Sequence, residues 1–251
     1  MKFSIITVSY NSEKTIEETI QSVISQSHKH YEFIIVDGGS TDNTLKIVNN
    51  YSKYFNKIIS EKDNGIYNAI NKGIKVSSGE IISILHSDNS FYSKSVLSDV
   101  KNVFENDKNS QCVIGNTLIF KEINNKKKII RNYKAINFYK WMMYLGYSPP
   151  HPSSFFRKEA YLKFGLYNEN FKIAADFDFY LRTIFINKIK FKRVDQNYVF
   201  MRYGGESTKS FSNHNKSSFE ILNSFKINHI KNYFIIILMR FPLKIIQYFL
   251  K

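Results

Sequence analysis

The apolar run Ile81-Ile82-Ser83-Ile84-Leu85 stops at His86-Ser87-Asp88-Asn89, so a strand candidate ends in a carboxylate and a carboxamide. Oxygen ligands of this kind suit Mg²⁺ or Mn²⁺, which bind through one or two carboxylates together with the phosphates of a substrate. The same residues also suit a plain turn, because Ser87, Asp88 and Asn89 all favour capping positions ahead of a helical pattern over 93–106. Two upstream runs repeat the construction. Phe3-Ser4-Ile5-Ile6-Thr7-Val8-Ser9 leads into Tyr10-Asn11-Ser12, and Phe33-Ile34-Ile35-Val36 leads into Asp37-Gly38-Gly39-Ser40-Thr41-Asp42. Open α/β sheets bind ligands in the crevice beyond the carboxyl ends of their strands. Three polar strand ends brought to one edge would converge on such a crevice.

The elements between these runs read as helices. Residues 15–27 carry Ile16, Ile20, Val23 and Ile24 on one face, and residues 44–54 carry Leu45, Ile47 and Val48. Strands alternating with helices predict βαβ units and a parallel sheet. Asn11 and Glu13 fit the capping start of the first of these helices. Further on, 113–121 and 129–133 read as a hairpin whose turn is Asn124-Asn125-Lys126-Lys127-Lys128. There are no internal repeats and no long linker, and a chain of 251 residues forms one α/β domain with a sizeable core.

Composition removes several classes. The single Cys112 excludes an internal disulfide and a cysteine-rich metal site. The run after Lys2 is broken by Ser4, Thr7 and Ser9 and reads as a strand, not a signal peptide, so a cytoplasmic protein is expected. Lys and Arg total 36 against 21 Asp and Glu, a formal charge of +15 that attracts polyanions. No zinc finger, helix-turn-helix signature or aromatic RNP-like motif accompanies that charge, so nucleic acid is not the expected partner. An anionic membrane surface fits better once the last segment is considered. Residues 229–251 are aromatic and aliphatic but interrupted by Arg240, Lys244 and Lys251, and the run 233–239 falls far short of the roughly 20 residues that span a bilayer. That pattern suits an amphipathic helix in the inner face of the cytoplasmic membrane, or equally a terminal helix packed on the domain.

Taken in order, Ser4-Ile5-Ile6-Thr7-Val8-Ser9-Tyr10-Asn11, Ile20-Gln21-Ser22-Val23-Ile24-Ser25-Gln26, Phe33-Ile34-Ile35-Val36-Asp37-Gly38-Gly39-Ser40-Thr41-Asp42-Asn43-Thr44 and Asp63-Asn64-Gly65-Ile66-Tyr67-Asn68-Ala69-Ile70-Asn71-Lys72-Gly73 resemble the N-terminal half of family 2 glycosyltransferases with the GT-A fold. The likeness is dense over the first ninety or so residues and thinner over about 148–208. It implies a Rossmann-like α/β fold with a mixed central sheet flanked by helices. It also implies a catalytic domain over 1–212, with a nucleotide-sugar half at 1–90 and an acceptor half at 110–208, followed by C-terminal amphipathic helices over 213–251.

The resemblance assigns roles residue by residue. Asp88 would hold the divalent cation, Mn²⁺ or Mg²⁺, with Ser87 standing where many relatives carry another Asp. Asp37 would accept a hydrogen bond from the nucleotide base, typically uracil N3, since a carboxylate accepts only; otherwise it caps the turn at Gly38-Gly39. Thr7, Ser9 and Tyr10 would line base and ribose. Asp63 and Asn68 would face the donor where a helix begins, a place that suits anions, and Lys72 would either reach a phosphate oxygen or lie on the surface. On the acceptor side Asp176 would be the general base of a single inverting displacement, with Ala175 replacing the family's usual acid and Asp178 capping the helix or orienting a neighbour. His151, in a turn held by prolines, would help shape the acceptor site. Gly204 and Gly205 would form a flexible loop suited to a closing lid, or otherwise an ordinary turn.

The implied activity is therefore transfer of a sugar from a nucleotide donor, a UDP-sugar by the resemblance, to a hydroxyl of a growing surface glycan or its lipid-linked precursor. Two other classes remain to be weighed. A nucleotidyltransferase would need a Gly-rich loop with a basic residue after the first strand, which this chain lacks. A non-enzymatic basic module binding membrane or nucleic acid would leave Asp37, Asp88 and Asp176 without a purpose.

Overall fold

A computed structural model of the chain describes residues 1–124, 126–204 and 211–231, with the backbone alone for 211–214. Four parallel strands come first: β1 (Phe3–Ser9), β2 (Tyr31–Asp37), β3 (Lys57–Ser60) and β4 (Ile81–Ile84). They are joined by helices α1 (Ile16–Ile24), α2 (Thr44–Asn50) and α3 (Ile66–Val76). The chain continues through β5 (Asn89–Phe91), α4 (Val96–Asn106), and the hairpin β6 (Cys112–Ile123) and β7 (Lys126–Tyr133). After three short 3-10 turns come β8 (Ser154–Arg157), α5 (Lys158–Phe164), α6 (Ala175–Tyr180), β9 (Phe191–Arg202) and α7 (Phe211–Ile227), with α6 running on as a π-helix over Leu181–Ile186. One mixed sheet results, in the order β3-β2-β1-β4-β8-β6-β9-β5, with β7 added beside β6.

Side chains of a strand alternate between faces, and both faces of this sheet are covered. Phe3, Ile5, Phe33, Ile35 and Ile81 pack with Ile16 and Ile20 of α1 and Val100 and Phe104 of α4. Ile6, Val8, Ile34, Val36, Ile82 and Ile84 pack with Tyr67, Ile70 and Ile74 of α3 and Phe177 of α6. α3 lies so close to the sheet that a Cβ on Gly73 would sit 2.4 Å from a methyl of Ile6.

Two elements differ from the sequence expectation. The hairpin turn is shorter than the polar run suggested: Asn124 takes φ 50°, and Lys126, Lys127 and Lys128 already belong to β7, opposite Ile123, Glu122 and Lys121. Lys127 sits there over the rings of Phe120 and Phe200 and pairs with Glu18 of α1, so it ties β7 to the sheet and to α1. The expected boundary at 212/213 also shifts, because Ile221 and Phe225 of α7 enter the core that holds α3 and α6. α7 is thus part of the domain, while 232–251, where an interfacial helix was expected, lies outside the described residues. Among those described, no helix is long and apolar enough to cross a membrane.

Candidate active site

The strands β1, β2 and β3 end in register, with Ser9 opposite Asp37 and Asp37 opposite Ser60. Asp37 is completely buried and receives five hydrogen bonds. Its Oδ1 accepts from Ser9 Oγ at 3.1 Å and Ser40 Oγ at 2.5 Å. Its Oδ2 accepts from the amides of Gly39 and Ser40 at 3.1 and 2.9 Å and from Ser60 Oγ at 3.1 Å. A carboxylate offers about four lone-pair sites, so Asp37 is saturated as it stands and caps the turn after β2. A base imide N–H reaches it only by displacing a hydroxyl, and Ser9 and Ser40 are the two that can rotate away from Oδ1. Gly39 holds φ 82°, and at Gly38 a Cβ would lie 2.4 Å from Asp63 Oδ2, so Asp63 rests directly on this turn. Asp63 Oδ1 in turn accepts the amide of Gly65 at 2.8 Å, where α3 begins.

The loops after β1 and β2 are laced together. Asn11 Oδ1 accepts the amide of Thr41 at 2.9 Å, and Glu13 Oε2 accepts that of Asn43 at 3.0 Å, so these two residues bridge the loops instead of capping α1. Ser87 Oγ meets Ser12 Oγ at 2.7 Å and fixes the end of β4 to the same lattice.

Four expected donor residues are placed differently from one another. Thr7 is fully buried on the face that carries Phe3 and Ile5, and its hydroxyl has no hydrogen-bond partner, so it points into the core and not the crevice. Tyr10, by contrast, is 63% exposed at the strand end. Asn68 donates to Glu169 Oε2 at 2.7 Å, and its neighbour Asn71 donates to Glu169 Oε1 at 2.8 Å, which spends Asn68 on joining α3 to the second half. Lys72 pairs with Glu61 at 2.7 Å.

Asp88 is half-buried just past β4, and its carboxylate takes no hydrogen bond among the described residues. Beside it, Asn89 Oδ1 is buried without a partner, as is His86 Nδ1. Burial lowers the pKa of the His86 imidazole, while the charge of Asp88 pulls it the other way. No cluster of three His, Cys, Asp or Glu side chains able to enclose a metal occurs among the described residues. A carboxylate with no hydrogen bond among the described residues nevertheless fits a hard cation that completes its shell with water and phosphate.

Asp176 occupies the first turn of α6 and is half-buried. Its Oδ1 accepts the amide of Phe177 at 2.8 Å and lies 3.5 Å from Tyr67 Oη, whose main bond goes to the Ile173 carbonyl at 2.7 Å. Burial pushes Asp176 up to about 6; the Phe177 amide and Tyr67 hydroxyl oppose the shift, and the charge of Glu220 adds to it. Asp178 lies about 200° around the helix from Asp176. It is buried in a salt bridge with Arg182 at 2.9 Å and accepts from Ser224 Oγ and Asn228 Nδ2 at 2.8 and 2.9 Å, so it orients its neighbours in α7.

A row of rings connects the two carboxylates. His86 and His151 have centroids 5.8 Å apart, His151 Nε2 meets Tyr167 Oη at 2.8 Å, and Tyr167 stacks on Tyr67 at 5.7 Å. His151 is therefore part of the wall; burial lowers its pKa to about 3, which keeps the ring neutral. Gly204, with φ 107°, has open space around it, and Gly205 lies outside the described residues. Sequence reasoning passed over His86, Tyr67, Tyr167, Glu169 and Glu220. His86 and Tyr67 stood inside motifs already singled out, whereas nothing local marked Glu220.

Residues 4–165 match the model of glycosyl transferase family 2. The chain belongs to this family, and it is a glycosyltransferase. A PGL/p-HBAD biosynthesis glycosyltransferase of Mycobacterium bovis is 27% identical over 190 residues, covering 72% of this chain and 68% of the relative. The putative teichuronic acid biosynthesis glycosyltransferase TuaG of Bacillus subtilis is 42% identical over 88 residues, 34% of this chain and 35% of its own length. Among solved structures, S. aureus TarS 1-349 in complex with UDP-GlcNAc superposes with a TM-score of 0.68 at 22% identity, covering 90% of this chain and 66% of that one. The mannosyltransferase PcManGT from Pyrobaculum calidifontis, in complex with GDP-Man and Mn²⁺, gives 0.66 at 15% identity over 92% of this chain and 69% of that one. These likenesses carry the GT-A fold, with its mixed sheet flanked by helices.

Proposed function

We propose that the chain moves a sugar from a UDP-sugar, with inversion, to a hydroxyl of a glycan or lipid-linked precursor in surface polysaccharide synthesis. The observation that carries this is the row of rings from His86 to Tyr67, which joins a carboxylate with no hydrogen bond among the described residues at the strand-end edge to a basic carboxylate on α6. In this arrangement the nucleotide lies across the ends of β1 and β2. Its base meets Asp37 through the Ser9 and Ser40 hydroxyls or in place of one of them, and Asp63 borders the diphosphate. Asp88 would hold a divalent cation, which when bound would supply positive charge to offset the leaving diphosphate. Asp176 accepts the proton of the acceptor hydroxyl as its oxygen bonds to the anomeric carbon and the bond to the β-phosphate breaks on the opposite face. His151, Tyr167 and Tyr67 exclude water and shape the acceptor floor.

Support for the donor comes from TarS, solved with UDP-GlcNAc, and for the acceptor class from TuaG, named for teichuronic acid biosynthesis. The excess of basic residues supports a working place against an anionic membrane that presents the acceptor. Titration calorimetry with UDP and GDP, each with and without Mn²⁺, tests the donor side. UDP should bind better than GDP and need Mn²⁺, and Asp88→Ala should weaken that binding by about tenfold to hundredfold. Metal-independent binding, or none, would overturn the reading.

A further inference from the structure

α7 carries a carboxylate that reaches back to the start of the helix bearing Asp176. Glu220 Oε2 accepts the amides of Ile173 and Ala174, each at 2.8 Å, and Oε1 accepts that of Lys172 at 2.8 Å. Ala174 is the N-cap of α6 and has no side-chain oxygen with which to cap it. The helix start is held instead by a residue 46 positions further along the chain. The same α7 grips the far side of α6 through Ser224 and Asn228 on Asp178, and seats Phe225 against Phe177 with ring centroids 5.5 Å apart.

We propose that Glu220 is a positioning residue for sugar transfer: it fixes the 172–174 backbone so that Asp176 presents its carboxylate to the acceptor hydroxyl. This rests on Asp176 being the general base. The groups that face Asp176 are Tyr67 of α3, Tyr167 of the preceding loop, Tyr180 of α6 and Glu220. The Lys172 ammonium donates to the Asn64 carbonyl at 3.0 Å. The phenols are neutral near pH 7, since burial raises all three. Glu220 is then the one charged neighbour among these groups, and its sign makes Asp176 more basic. Its three hydrogen bonds set geometry, its charge sets basicity, and the two are separable by substitution.

The test compares Glu220→Ala with Glu220→Gln, which keeps the size and, with its oxygen in the Oε2 place, two of the three hydrogen bonds. Ser224→Ala, which cuts a bond to Asp178 alone, controls for loosening of α7. UDP affinity by calorimetry should match wild type in all three. Turnover should fall about tenfold to hundredfold in Glu220→Ala, the scale of a small misplacement of a reacting group. In Glu220→Gln turnover should fall less, with the acid limb of its pH profile displaced to lower pH. In an Asp176→Asn background Glu220→Ala should cost nothing further. Wild-type turnover in a folded Glu220→Ala protein, or the same fold-loss persisting without Asp176, would overturn the proposal. Normal turnover by Asp176→Asn alone would instead overturn the general-base reading, so the two failures are distinguishable.

Discussion

Asp37, at the end of β2, and Asp176, in the first turn of α6, are both acids of the candidate site, yet the protein holds them by opposite means. Asp37 is saturated with five donors from three chain segments, and every neighbour that reaches it is fixed by β1, β2 or β3. Asp176 receives one backbone amide and a distant phenol, and burial does the rest. Saturation immobilises a carboxylate and gives a defined surface for recognition. Burial with few donors leaves a carboxylate with spare capacity for a proton, which is what a general base needs. On the proposed reading, the strand-end half binds and the α6 half reacts.

The largest effect that would break this contrast is on turnover. Asp176→Asn removes the proton acceptor but keeps an oxygen for the Phe177 amide, so transfer should fall by about 10² to 10⁴-fold with UDP affinity unchanged. In the wild type a base with a pKa of about 6 is active when ionised, so transfer should decline as the pH is lowered through about 6. A turnover within a few fold of wild type in Asp176→Asn, measured by release of UDP, would place the chemistry elsewhere.

The same substitution at Asp37 should act on stability first. Its charge-assisted hydrogen bonds are each worth about 1.5–3 kcal/mol, and an amide nitrogen in place of Oδ1 turns an acceptor into a donor facing two hydroxyls. Both hydroxyls can rotate to accept, which recovers part of the loss. Asp37→Asn should therefore lower the unfolding free energy by roughly 1–3 kcal/mol in urea titration. No change in the midpoint would mean that the network around Asp37 is not what holds the turn.

The contrast also explains which features were legible in the sequence. Three of the four parallel strands, β1, β2 and β4, and the helices α1 and α2 are legible in apolar runs and helical periodicity, whereas the short, largely exposed β3 carries no such run; Asp37, Asp88 and Asp176 stand out because each lies at or beside the end of an element. At Thr7 both faces of β1 are buried, so the polar type of its side chain says nothing about the crevice; only the last residues of a strand reach that edge. Asn68 and Lys72 share a motif with Asp63, but Glu169, 101 positions beyond Asn68, and Glu61 claim them. Glu220 left no trace, since its contacts are with backbone amides in a distant loop and any acceptor there would serve the sequence pattern equally well.

A smaller effect tests the contrast most directly, because one substitution should give opposite signs at the two sites. The pKa of Asp176 is raised from 3.8 to about 6 in the folded state. Above about pH 6 the group is ionised in both folded and unfolded chains, and the folded state carries the full cost of its burial. As pH falls toward 4 the folded state takes up a proton first and the cost is relieved; below 3.8 both states are protonated and none remains. Asparagine never carries that charge. Asp176→Asn should thus stabilise the protein at pH 7 by ~1–2 kcal/mol, reduced from the full shift because the group is part-exposed. For a chain of this size that raises the melting temperature by a few degrees. The gain should shrink between pH 6 and 4 and vanish below, in calorimetric melts of both proteins across that range. A gain that persists at pH 3.5, or a loss at pH 7, would show that Asp176 is held by its hydrogen bonds as Asp37 is, and the distinction between the two halves would fall.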